Sequence, residues 1–142
     1  MTIPSSVNNI GDGAFVYCPN LTSIYCEGNA PAVGGSTFLS DLVTIYYLSG
    51  TVGWGSSLGG MPTALWIPQM QNVDASFCVR TNQFGFNINW ASGRNVVVDA
   101  CANLSNPDWQ PVQTNVLTTG SAYFSDPQWT NYPGRFYRLR SP

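Results

Sequence analysis

The chain has 142 residues, of which 44% are hydrophobic, enough for a packed core in one ordinary domain or two very small ones. Charged residues are only 8%, with five Arg, no Lys and no His against seven carboxylates, for a net charge of -2. Five Arg cannot neutralise a long phosphate track, so nucleic acid is excluded as a partner; the missing His and Lys exclude His-based triads, His metal sites and Schiff-base or P-loop lysine chemistry.

No apolar run reaches the ~18–20 residues that cross a bilayer as a helix. The opening MTIPSSVNNIG has neither a basic region nor an apolar core, so this stretch holds no signal peptide. Gly, Ser, Thr, Asn, Pro and aromatic residues dominate, which points to an extracellular or cell-surface location. The two facts agree if the signal belongs to an upstream portion and this chain is the C-terminal part of a longer protein. Cys18, Cys26, Cys78 and Cys101 contain no CxxC and resemble no zinc motif in their spacing. Cys18 and Cys26 read as buried free thiols, and Cys78–Cys101 as the one pairing worth testing.

The first half repeats. Ile3 maps onto Cys26, Ile10 onto Val33, Gly11 onto Gly34 and Phe15 onto Phe38, each 23 residues on, while Leu21 maps onto Leu42 and Ile24 onto Ile45 at a step of 21. LTSIYC and LVTIYY are then equivalent short strands, and a period of 20–29 with one strand per unit is the range of leucine-rich repeats. Such a unit buries its apolar edge only against its neighbours. The expected shared core is Ile3, Ile10, Ala14, Phe15, Leu21, Ile24, Val33, Phe38, Leu42 and Ile45. Strand alternation turns Ile24, Cys26, Ile45 and Tyr47 inward, and puts Tyr25 and Tyr46 outward, side by side and in one row with Thr2.

The string TIPSSVNNIGDGAFVYCPNLTSIYCEGNAP resembles the BspA-like leucine-rich repeat family, with Gly11, Ala14, Phe15 and Cys18 at the expected places. The likeness covers about residues 1–48, and SGTVGWGSSLGGMPTALW resembles the terminal cap that closes such arrays. It implies a secreted or surface-bound protein of bacteria or some protists, with a role in adhesion. The array is short, and Met1 falls inside a strand, so an open solenoid end is expected to self-associate or to meet further repeats.

Composition shifts near IPQMQN, residues 67–72. Residues 1–67 hold three carboxylates and no Arg, for -3, whereas residues 68–142 hold four Asp and all five Arg, for +1. The expected domains are therefore 1–67, repeats with a C-terminal cap, and 68–142, a β-sandwich tail. DASFCVR reads as a strand. FGFNINW alternates with Phe84, Phe86, Ile88 and Trp90 on one face; ASGR reads as a turn and NVVVDAC as the returning strand of a β-hairpin. WQPVQT, SAYFSD and RFYRLR add three more. Six to seven short strands with regular turns predict a sandwich of immunoglobulin or fibronectin-III type. ANLSNPDWQPVQTN and FSDPQWTNYPGRFYRLR look like C-terminal β-domains of large secreted bacterial proteins, whose implied roles are spacing, attachment or export.

Chemistry is sparse. Asp12, Glu27 and Asp41 are the carboxylates a glycoside hydrolase would draw on in the first half, but they sit in or beside turns; Asp74, Asp108 and Asp126 read the same way, and Asp99 lies on a strand. No enzyme, cofactor or metal is expected. The binding candidates are aromatic: Tyr25, Tyr46, Trp54 and Trp66 in one patch, and Trp109, Trp129 and Tyr132 in another. The sequence thus reads as a non-catalytic extracellular binding or adhesion module taking a protein or polysaccharide ligand. The alternatives are a carbohydrate-binding accessory module of a polysaccharide-degrading enzyme, and a self-assembling subunit of a fibre or surface layer.

Overall fold

A computed structural model of the chain describes residues 1–39 and 42–142; Ser40 and the candidate carboxylate Asp41 lie outside the described residues. The described residues are mainly β, with no α-helix, and divide into two compact units, Met1–Trp66 and Ile67–Pro142. No helix among them is long and apolar enough to cross a membrane.

The first unit contains β1 (Thr2–Ile3), β2 (Asn9–Ile10), β3 (Ser23–Cys26), β4 (Ala32–Val33), β5 (Thr44–Tyr47), β6 (Ser57–Leu58) and β7 (Met61–Leu65). Its main sheet runs β1-β3-β5-β7-β6. The first four are parallel, and the register pairs Ile3 with Cys26, Ile24 with Ile45 and Tyr25 with Tyr46. These are the residues that the sequence repeat equates. A second parallel pair, β2-β4, matches Ile10 to Val33. Between the strands the turns also stack: Phe15 N–H donates to Thr37 O at 3.0 Å, and the Phe15 and Phe38 rings stack 5.6 Å apart and nearly parallel, at 9°. Ile24, Cys26, Phe38, Val43 and Ile45 are buried together, with Ile3, Phe15, Leu21 and Val33 packed against them. Each turn of chain therefore completes the apolar side of the next.

Ala14 and Leu42 depart from the expected core: both are exposed, Leu42 at 95%, and Val43 at 2% occupies the buried place expected for Leu42. For Leu42 the reason is strand parity. Ile45 faces inward, so Val43, two residues earlier, does too, and Leu42 must face out. The MPTAL segment, expected only as cap, forms a further strand, β7, beside β5. Gly59 and Gly60 both have positive φ, 58° and 83°, and make the two-residue hairpin turn that folds β6 back on β7.

At Gly34 the packing of the turns leaves no room for a side chain. A Cβ there would lie 2.3 Å from Asp12 Oδ1 and 2.6 Å from the Asp12 backbone N. Asp12 in turn accepts the Ser36 N–H at 3.2 Å; its carboxylate ties one turn of chain to the next. Gly34→Ala is expected to force these backbones apart and cost about 1–3 kcal/mol, read as a lowered urea midpoint. An unchanged midpoint would mean the turns are not packed as described.

The second unit contains β8 (Gln69–Gln71), β9 (Cys78–Arg80), β10 (Gln83–Asn89), β11 (Arg94–Cys101), β12 (Gln110–Leu117), β13 (Ser121–Asp126), a 3₁₀ turn (Trp129–Asn131) and β14 (Phe136–Arg140). One antiparallel sheet runs β13-β10-β8, with β9 also on β10; the other runs β12-β11-β14. Alternation on β10 is as expected, with Phe86 and Ile88 fully buried and Trp90 8% exposed. The expected hairpin is not formed: β10 and β11 belong to different sheets. Both strands carry apolar faces, Phe86 and Ile88 on one and Val96 and Val98 on the other, that need covering. The corner between them is held elsewhere, by Trp90 N–H on Gly120 O and Gly93 N–H on Leu117 O. Tyr137 of β14 meets Phe84, Phe86 and Phe124 of the opposite sheet, with ring centroids at 5.2, 6.0 and 5.7 Å. That aromatic cluster joins the two sheets.

All four cysteines are free, so Cys78 and Cys101 are not linked. Burial pushes the Cys26 thiol up to about 11, leaving about a thousandth of it as thiolate at pH 8. Iodoacetamide at that pH is expected to label the half-buried Cys78 well before Cys26. Because the folded value is the raised one, Cys26 favours folding below its ordinary 9.0 and loses that contribution as pH climbs toward 11.

Candidate functional site

The outer face of the parallel sheet carries the first aromatic group. Thr2, Tyr25, Tyr46 and Ala64 occupy one register row across β1, β3, β5 and β7. The Tyr25 and Tyr46 rings stack at 5.1 Å and 16°, and Trp66, just past β7, tilts onto Tyr25 at 4.9 Å. Parallel in-register pairing produces this contact, because equivalent outward residues fall side by side. All three are half-buried. Trp54 does not join them. It stacks on Tyr47 at 5.0 Å and 7°, and packs against the apolar core on the other face of the sheet. Tyr46 and Tyr47 are consecutive, so their side chains leave the strand in opposite directions.

Clefts of the second unit include one of about 630 Å³, lined by Asp74, Ser76, Arg80, Asn87 and Tyr123 among others. Its acid and its cation both have partners. Asp74 accepts hydrogen bonds from the Ser76 hydroxyl, from Ser76 N–H at 2.8 Å and from Asn87 Nδ2 at 3.1 Å, which hold its carboxyl below the usual range. Arg80 donates to Cys78 Sγ at 3.2 Å and to Ala75 O.

The second cleft, about 420 Å³, is aromatic: Phe77, Phe84, Trp129, Tyr132, Phe136 and Tyr137 line it, with Arg135. Two expected residues, Trp129 and Tyr132, therefore meet here. The Trp129 indole N–H donates to Asn82 O at 3.1 Å, which fixes the ring. Arg135 lies over the Tyr132 ring at 4.0 Å and bonds Asp126 at 2.5 Å. Burial works against its charge, but the contacts with Tyr132 and Asp126 outweigh that and hold the guanidinium above its ordinary value. Burial and a 3.0 Å bond to Asp126 raise the Tyr137 phenol, which stays a protonated donor. A third cleft, about 490 Å³, is lined by Asn103, Asn106, Asp108, Gln110 and Gln128, and shares Tyr132 and Arg135 with the aromatic one. Trp109 stands apart from both, over Arg138 at 4.6 Å; Arg138 and Arg140 bond the buried Asp99.

Arg135 and its partner Asp126 are not among the binding candidates in the sequence, where Asp126 reads as a turn former; the only cue there is the Arg cluster at residues 135–140. Among the described residues no three His, Cys, Asp or Glu side chains come together to hold a metal. Comparison with protein-family models, curated proteins and solved structures finds no match.

Proposed function

We propose that this chain is a non-catalytic binding module of adhesion type that acts outside the cell, built from short coils resembling BspA-like leucine-rich repeats followed by an immunoglobulin- or fibronectin-III-like β-sandwich. The repeat registers of β3 on β5 and the two sheets joined through Tyr137 support that architecture. The observation that carries the function is the Tyr25–Tyr46–Trp66 cluster on the outer sheet face. Tyr and Trp dominate the energetic centres of protein interfaces, since they bring much contact area at little cost in side-chain freedom. Rings stacked face to face present edges and hydroxyls outward rather than flat faces, which suits a protein partner better than a sugar ring. Surface plasmon resonance over immobilised fibronectin, laminin, collagen and mucin tests it. Binding to at least one, weakened ten-fold or more by Tyr25→Ala with Tyr46→Ala, is expected; no binding to any of the four would overturn it.

The meeting of Trp129 and Tyr132 in one cleft favours a second reading, a carbohydrate-binding module.

A further inference from the structure

We infer that the aromatic and amide-rich clefts of the second unit form one continuous groove for an uncharged oligosaccharide, with Tyr132 and Arg135 as the saddle between its two halves. The inference deepens the carbohydrate reading and is independent of the Tyr25–Tyr46–Trp66 surface. Both clefts, at about 420 and 490 Å³, fall within the size of small-molecule sites, and both are lined by Tyr132 and Arg135.

The two halves have complementary chemistry. The aromatic half offers Trp129, held by its bond to Asn82 O, and Tyr132, whose ring is backed by Arg135 and is 39% exposed. Flat apolar rings match the C–H face of a pyranose, and a ring already fixed loses little freedom on binding. The other half offers the amides of Asn106 and Gln128, which among the described residues make no side-chain hydrogen bond with the protein. An amide both donates and accepts, as a sugar hydroxyl does, so the pairing works in either direction.

Charge narrows the ligand. The groove is lined by one cation, Arg135, already bonded to Asp126, and by one carboxylate, Asp108, which accepts from Gln110 Nε2 at 2.7 Å. No positive surplus is left to attract a polyanion, and a uronate beside Asp108 would meet like charge. A basic peptide finds no surplus of acid either. A ligand with hydroxyls and no net charge is what remains. Since the halves lie on both sides of Tyr132, a single sugar fills only one, and affinity is expected to rise from monosaccharide to tetrasaccharide.

Native affinity electrophoresis of the full chain tests this, with gels containing a soluble mixed-linkage β-glucan, xylan, galactomannan, polygalacturonate or heparin. Retardation by at least one neutral polysaccharide is expected and by neither anionic one. Trp129→Ala should abolish the retardation. Because Trp129 also anchors Asn82, the exposed pair Asn106→Ala with Gln128→Ala serves as the second variant; it should weaken binding about ten-fold at an unchanged melting temperature. Tyr25→Ala should leave retardation intact, which separates this groove from the protein-binding surface. Retardation by none of the neutral polymers, stronger retardation by the anionic ones, indifference to Asn106→Ala with Gln128→Ala, or binding of a proline-rich peptide in their place would overturn the inference.

Discussion

Phe86→Ala is expected to destabilise the second unit by about 3–5 kcal/mol, the cost of removing a large aromatic from a closed core. Phe86 is 0% exposed and lies at the centre of the ring cluster: its centroid is 6.0 Å from Phe84, 4.9 Å from Phe124 and 6.0 Å from Tyr137. Tyr137 comes from the opposite sheet, so the cavity would open where the two sheets meet. The loss is read from the urea midpoint, with near-ultraviolet circular dichroism reporting aromatic packing. Phe86→Leu keeps most of the volume and is expected to cost much less. A loss below about 1 kcal/mol for the alanine variant would show that this cluster does not hold the sheets together.

That cluster also marks what sequence periodicity delivers and where it stops. Alternation at Phe84, Phe86 and Ile88 identified the buried face of β10 correctly, since burial on one side of a strand imposes a period of two. The same alternation cannot say which strand lies alongside. A tight hairpin and a corner that carries the chain into the facing sheet look alike over FGFNINWASGRNVVVDAC; the Gly120 and Leu117 carbonyls that hold the corner lie 30 and 24 residues beyond their donors, Trp90 and Gly93. The first unit was more legible because its pairing is encoded twice. A 23-residue repeat that equates Ile3 with Cys26 and Ile10 with Val33 specifies both partner and register at once.

The binding candidates divide along the same line. Tyr25 beside Tyr46 follows from parallel in-register pairing alone, and the geometry agrees. Trp54 follows a glycine-rich stretch with no period, and nothing local told its core contact with Tyr47 from an exposed position. Trp129 and Tyr132 converge because Trp129 opens a 3₁₀ turn three residues long, between β13 and β14, and Tyr132 closes it. Their shared cleft depends on Phe77, some fifty residues earlier, a distance that no short-range pattern spans.

Asp126→Ala is expected to cost about 3–5 kcal/mol, as breaking a buried ion pair leaves the other charge without compensation. Asp126 is 1% exposed and the Arg135 side chain 11%. The carboxylate also accepts Gln128 N–H at 2.8 Å and the Tyr137 hydroxyl at 3.0 Å, so its removal strands three donors. Arg135→Ala should cost a similar amount by leaving Asp126 buried and negative. The two losses should not add: once one partner is gone, removing the second relieves an uncompensated charge, and the double variant is expected to be less destabilised than the sum by about 1–3 kcal/mol. Tyr137→Phe keeps the ion pair and the ring packing and loses a single hydrogen bond to a charged group, about 1.5–3 kcal/mol. Strict additivity in urea unfolding would mean that the pair is not coupled and that Arg135 is held by Tyr132 alone. The cycle bears on the groove as well, since Arg135 backs the Tyr132 ring. If Asp126 fixes the guanidinium there, Asp126→Asn should weaken polysaccharide retardation while Tyr137→Phe, which leaves Arg135 in place, should not.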